Sequence, residues 1–281
     1  MHVNPTLGEF LLGTEGLALL RLAFTGPATE RNARIREIRS LIERLDHMPE
    51  LSAPRDGPEY DTTEGYRLWS ETYDRPLRLF PVEEPVMFRL IDSLPPSVVL
   101  DAACGTGRYS AYLVDRGHRV IGVDKSSEML TRGRRKLTQV DFREGELTAL
   151  PLESAGVDAA VCALALVHLA DIRGALAEFA RVVRPGGRII LSDVHPFLIL
   201  LSWQAQFRTA NGDPAFMRLH AHLPSDYCEA ALAAGLRIRA CHEPLLTPAA
   251  AVTPAADRLP EANRAAFVGL PAVIIWDLEK P

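Results

Sequence analysis

Between Leu100 and Ser110 the chain reads LDAACGTGRYS. An acid, Asp101, precedes a run of small residues, Ala102, Ala103, Cys104, Gly105, Thr106 and Gly107. Small residues let a backbone approach a ligand closely, and glycine tolerates positive φ. The helix-like segment that follows offers free N–H groups to an anionic group. A dinucleotide loop would fit so far, but such a loop wants a third glycine three positions after the second. That position is Ser110. A carboxylate at Asp101 would also repel a pyrophosphate, so Ser110 and Asp101 together disfavour a nicotinamide enzyme. Asp101 suits a cation instead, an ammonium or a nearby sulfonium. Asp124 closes the next apolar run, HRVIGVD, where an acid accepts both hydroxyls of a ribose. Glu146 follows VDFREG and can accept from an adenine amino group, and ALALVH at 163–168 supplies small and apolar walls. These groups describe an amino acid joined to a ribose and an adenine.

The elements that must position them alternate. SVVLDAA, HRVIGVD, VDFREG, VDAAVCALA and RIILSDV read as five strands of nearly continuous apolar residues. Between them SSEMLTRGRRKL, with Ser126 or Ser127 as cap, and DIRGALAEFARVV, with Asp171 as cap, read as helices. Such alternation predicts a parallel sheet covered on both faces. A capped helix and strand in PSDYCEAALAAGLRIRACHEP and a last strand in PAVIIWDLEKP complete it. The fold class is α/β, a Rossmann-like doubly wound sheet with an N-terminal helical arm and a helical insertion after the fifth strand. The arm is placed at 1–57 and the ligand-binding domain at 58–281. In the arm Ile35, Ile38, Leu41, Ile42 and Leu45 share a helical face. That face buries either on the chain's own core or on a neighbouring subunit, which would make a homo-oligomer. MPELSAPRDGPEY reads as a linker. The insertion, 196–224, follows the fifth strand, where ligands of open α/β sheets bind, and is placed to cover a substrate.

At this point the chain resembles the class I S-adenosylmethionine (SAM)-dependent methyltransferases, in particular the small-molecule group called methyltransferase type 11. The resemblance runs over roughly 60–245, through VVLDAACGTGRYS, VIGVDKSSEML, FREGELTALPLESAGVDAAVCALALVHL and EFARVVRPGGRIILSDVHP. It implies a seven-stranded, mostly parallel sheet with an antiparallel last strand, and SAM as cofactor. It also implies that Asp101, Ala103, Cys104, Gly105 and Gly107 surround the methionyl part. Asp124 takes the ribose, Lys125 and Met129 lie near the adenine, and Glu146 and Leu147 frame its edge. Ala163, Leu164 and His168 border the methionyl group. Two positions depart from the family pattern. Ala103 stands where a glycine is usual, which is harmless unless φ is positive, and Glu146 stands for a shorter Asp.

The sulfonium methyl is already activated, so proximity and orientation can supply much of the catalysis. A base is needed only if the acceptor is protonated. His195, after Asp193 and the fifth strand, is a candidate base or orienting group, or else a pocket wall. In EGYRLWSETYD, 64–74, Tyr66, Trp69 and Tyr73 share a face if the segment is helical. They form either a core stripe or a cover, with Tyr73 on the cofactor side and Tyr66 on the acceptor side, their rings able to hold a sulfonium. Trp203, Phe207, Met217 and His222, in the insertion, join Tyr66, Trp69 and His195 as candidate substrate contacts.

The expected acceptor is a small, largely apolar or aromatic metabolite of the kind handled in natural-product metabolism. Oxygen, nitrogen and carbon all remain open as its methylated atom, including C-methylation or methylation-coupled cyclisation on an electron-rich ring. A protein that binds SAM without transferring anything is the alternative from another class. The 281 residues are 47% hydrophobic and carry a net charge of -5, a balance that argues against nucleic acid or an anionic membrane as partner. The basic run Arg132, Arg134, Arg135 and Lys136 reads as a solvated helix face. The four cysteines form no CxxC pair, and His220 and His222 lack an acidic cluster, so no metal is expected. No leader or membrane span is apparent, and a cytoplasmic, disulfide-free protein is the expectation.

Overall fold

The computed structural model describes residues 6–45, 47–52, 57–75 and 77–281. They form two compact units, one of the described residues up to 58 with 245–270, the other of those in 59–244 with 271–281. The stretch read as a linker holds a short helix, Pro49–Ser52, and a strand, Glu59–Tyr60, while 53–56 lie outside the described residues.

The first unit is helical. Helix Leu7–Leu22 opens with a reciprocal cap, Glu9 N–H donating to Thr6 Oγ1 and Thr6 N–H to Glu9 Oε2. It packs on Ala28–Leu45 and on Pro260–Phe267. Arg21 donates to the carbonyls of Ala266 and Val268, at 2.8 and 3.0 Å, and so caps the end of that distant helix. Residues 245–270, which the sequence reading leaves in the 58–281 domain, thus complete the arm. Of the expected apolar stripe Leu41 is fully buried, whereas Ile35 and Ile42 face outward.

Glu15 is buried in this unit beside Arg34, 3.4 Å away. Burial, and after it the neighbouring Glu37, pushes its carboxyl from 4.5 up to about 8, against the pull of Arg34. A folded-state value above the unfolded one means that this group's contribution to stability is complete below pH 4.5 and is lost as pH rises to about 8. Glu15→Gln keeps the shape and removes the titration. The melting temperature of the wild type should therefore fall more steeply than that of the variant across this range. Parallel curves in calorimetry would refute the assignment.

The second unit holds the sheet. Its strands are β1 (Val98–Ala102), β2 (Arg119–Asp124), β3 (Asp141–Glu144), β4 (Val157–Ala163), β5 (Val183–Val194), β6 (Arg237–His242) and β7 (Val273–Glu279). The spatial order is β3-β2-β1-β4-β5-β7-β6, with β1 to β5 parallel and β7 antiparallel to both β5 and β6. This is the seven-stranded, mostly parallel sheet expected from the sequence. The two faces are built from alternate residues. Leu100, Ala160 and Ile189 pack on one side with Leu176 and Phe179. Val99, Val161 and Ile190 pack on the other with Met87, Ile91 and Leu113. Because β1 to β4 run the same way, Ala103, Asp124, Gly145 and Ala163 all emerge at one edge. Ser126 caps helix Ser127–Lys136 by accepting from Met129 N–H.

The insertion after β5 departs from expectation. A single short helix, Pro196–Leu200, is followed by strands Ala205–Arg208 and Pro214–Met217 paired as a hairpin, to which Glu59–Tyr60 adds in parallel. The reason is local. Gln206-Phe207-Arg208 alternates polar and apolar residues with period two, and Asn211-Gly212, with Gly212 at φ +87°, makes the turn.

Candidate active site

The carboxyl ends of β1 to β4 border a cavity of about 720 Å³ that opens to solvent. Ala103 and Gly105 line it from the loop after β1, and Asp124, Lys125 and Met129 from the end of β2 and the helix beyond. Gly145, Glu146 and Leu147 follow β3, and Ala163, Leu164, Ala165, His168 and Leu169 follow β4. Thr62, Tyr66 and Tyr73 close the remaining side. Most residues expected around a nucleoside are therefore brought together. Thr62, Gly145 and Leu169 were not anticipated as contacts, whereas Ala165 belongs to the ALALVH wall. Gly145 and Leu169 sit beside anticipated residues after β3 and β4, and only Thr62 carried no local signal.

Asp124 organises the loop. Its Oδ2 accepts from Gly105 N–H and its Oδ1 from Ser126 N–H, both at 2.8 Å. Burial pushes its carboxyl up, and these backbone donors oppose the rise. The Lys125 N–H also lowers it, and the carboxylate, which has about four lone-pair sites, keeps capacity for a ligand hydroxyl. Ala103, the departure from glycine, sits at φ +53°, and Leu164 at φ +56°. Left-handed backbone at such residues costs about 1–2 kcal/mol each. Both strained positions therefore lie on the cavity wall, where strain is often stored.

Asp101 lies beneath the loop and does not line the cavity. It is 2% exposed and its Oδ2 accepts from Ser110 Oγ at 2.6 Å. Burial raises its carboxyl to about 6, with Ser110 opposing. Ser110 thus replaces a glycine in order to tie helix Arg108–Asp115 to β1. Cys104 is also buried under the loop, where burial pushes its thiol up. Gly107, at φ +90°, starts the helix and has no room for a side chain, since a Cβ would meet Leu137 Cδ1 at 2.8 Å.

Helix Thr62–Trp69 is capped by Asp61, which accepts from Thr63 and Glu64 N–H. It ends at Trp69, so Tyr73 arrives on the following turn rather than on the same helix. The three rings still cluster. Tyr66 stacks on Trp69 at 5.9 Å, and Trp69 meets Tyr73 edge-on at 5.1 Å. Tyr73 lies over Gly105, where a Cβ would be 3.6 Å from its ring, and burial raises its phenol to about 12. Asp74 accepts from Thr106 Oγ1 and from Lys136 Nζ and so fixes the turn to the loop. Lys125 Nζ donates to Thr62 Oγ1, and Tyr66 Oη lies 2.8 Å from His168 Nε2.

The candidate substrate contacts of the insertion go elsewhere. Phe207 and Met217 are buried against Trp69 beneath the helix, with Phe207 stacked on Trp69 at 5.3 Å. Trp69 itself is part of that core and does not line the cavity. Gly65 is the point of closest approach, since a Cβ there would lie 2.3 Å from Met217 Sδ. His195 caps Pro196–Leu200, its Nδ1 accepting from Phe197 N–H, while Nε2 faces Glu243 at 3.0 Å. Both nitrogens are engaged and the ring does not line the cavity, which fits a hydrogen-bonded support. His222 Nε2 is bonded to the Leu169 carbonyl. Trp203 is half-buried outside the cavity lining.

Residues 100–191 match a family model described as a methyltransferase domain. The demethylmenaquinone methyltransferase of Renibacterium salmoninarum is 34% identical over 156 residues, 54% of this chain and 62% of its own length. The malonyl-(acyl-carrier protein) O-methyltransferase of Yersinia pestis is 41% identical over 95 residues, 34% of this chain and 36% of its own. The chain spans about a third to three-fifths of the length of these curated relatives. An S-adenosylmethionine dependent methyltransferase from Mesorhizobium loti superposes with a TM-score of 0.56 at 20% identity, over 71% of this chain and 98% of that one. Likeness at that identity speaks to the fold. Residues 100–191 thus match a methyltransferase-domain model, and the sheet has the fold of an S-adenosylmethionine-dependent methyltransferase structure.

Proposed function

We propose that the protein transfers a methyl group from SAM to a small, largely apolar or aromatic acceptor. One observation carries the reading. Asp124, whose carboxylate keeps capacity to accept from a hydroxyl, stands between a close-approach loop and the wall Glu146–Leu147. That donor and acceptor set suits a ribose between an amino acid and an adenine. Ala103, Gly105 and Tyr73 would hold the methionyl end, Asp124 the ribose, and Lys125, Met129, Glu146 and Leu147 the base. Ala163, Leu164 and His168 would border the methionyl group. The cofactor supplies a methyl activated on a sulfonium, so this chain's task is to orient the acceptor and exclude water.

No residue of 196–224 lines the cavity. The insertion therefore does not fill the cavity, and a filled one would have favoured a protein that transfers nothing. Two relatives bear the names of a demethylmenaquinone and a malonyl-(acyl-carrier protein) methyltransferase, and these names support methyl transfer by such a domain to chemically different acceptors. Calorimetric titration with SAM tests the reading. One-to-one binding in the micromolar range is the expected result, and absence of binding at high micromolar SAM would sink it.

A further inference from the structure

Tyr66 and His168 both line the cavity, one from helix Thr62–Trp69 and the other from the turn after β4. Tyr66 Oη lies 2.8 Å from His168 Nε2. The other ring nitrogen, Nδ1, is buried and has no hydrogen-bond partner among the described residues. A neutral imidazole carries one N–H and one lone pair, which leaves two arrangements. If Tyr66 donates to Nε2, the ring N–H sits on Nδ1, buried without an acceptor. If Nε2–H donates to Tyr66, only a lone pair on Nδ1 is unfilled. Orphaned buried N–H groups are the rarer of the two. The second arrangement leaves the Tyr66 O–H free to donate, and the cavity is what it faces.

The surroundings agree with a donor rather than a base. Burial, and after it Lys125, pushes the His168 imidazole down to about 4, so it is a weak proton acceptor at neutral pH. The Lys125 side chain lines the same cavity and adds positive charge, while burial, and after it Tyr73, Asp124 and Asp193, hold the Tyr66 phenol well above its ordinary value and keep it protonated as a donor.

We propose that the Tyr66–His168 pair donates a hydrogen bond to an oxygen anion of the acceptor, which is therefore a phenol, enol or carboxylic acid bound ionised rather than a neutral alcohol. The inference rests on the methyltransferase reading above. Tyr66 touches the acceptor, whereas His168 acts through Tyr66 and is a positioning residue. An oxygen that arrives already deprotonated needs no proton acceptor when its lone pair takes the methyl and the S–C electron pair returns to sulfur.

The test uses 4-nitrophenol, whose anion absorbs visible light, titrated into protein loaded with S-adenosylhomocysteine. The bound probe should be ionised at a pH roughly one to two units below its solution value. Tyr66→Phe should weaken binding of the anion roughly ten- to a hundredfold. His168→Leu should follow it, whereas His168→Gln, whose amide N–H can still donate to Tyr66, should restore most of the shifted ionisation. A probe that binds neutral, or fails to bind at millimolar concentration, overturns the proposal, as does a Tyr66→Phe protein that ionises it like the wild type. Calorimetry with S-adenosylhomocysteine comes first and separates the failures. A protein that takes no nucleoside refutes the methyltransferase reading, and a loaded protein without anion preference refutes only this one.

Discussion

Asp124→Ala is expected to weaken SAM binding roughly a hundredfold, since hydrogen bonds to a charged group contribute about 1.5–3 kcal/mol each. Two effects combine. The variant removes the acceptor for the ribose hydroxyls, and it also releases the N–H groups of Gly105 and Ser126 that the carboxylate holds at 2.8 Å. Asp124→Asn separates them. Its single amide oxygen can keep one of those N–H groups, so the loop is partly held while ribose recognition suffers. Calorimetry on both variants measures the difference. Affinity near wild type in Asp124→Ala would remove the ribose assignment.

Gly65→Ala should detach helix Thr62–Trp69 from the hairpin. The new methyl would lie 2.3 Å from Met217 Sδ and 2.4 Å from its Cγ. Met217 is fully buried among Trp69, Phe207 and Ala215 and has no space to yield. Overpacking of this kind costs about 1–3 kcal/mol, and the helix is the part that can move outward. Its displacement would draw Tyr66 from His168 and Thr62 from Lys125. Hydrogen exchange over 62–69 should accelerate by about thirtyfold for a loss of ~2 kcal/mol, and SAM affinity should fall with it. Unchanged exchange would show that the helix does not depend on this contact.

The cavity wall along the strand ends was legible because each of its residues is local to a strand end. Asp124, Ala103 and Ala163 close or follow apolar runs, Glu146 follows the short polar strand β3, and a parallel sheet brings such positions to one edge. The placement of the insertion was not legible. Trp203, Phe207, Met217 and His222 have the composition of buried residues, but composition does not say against what they are buried. A period of two in the hairpin turned Phe207 and Met217 toward Trp69 instead of the ligand. His195 looked chemical by position and proved to be a helix cap. The strain at Ala103 depends on a dihedral angle that residue type alone does not report. The partner of the N-terminal helices lay far along the chain, as the Arg21–Ala266 contact across 245 residues illustrates, beyond the reach of any local pattern.

Asp124 ties the loop after β1 to the turn after β2 by accepting from Gly105 and Ser126 N–H. The same loop is gripped from a second segment, since Asp74 accepts from Thr106 Oγ1. Two carboxylates far apart in the chain thus shape one backbone, and loosening either would be felt by whatever binds above Gly105.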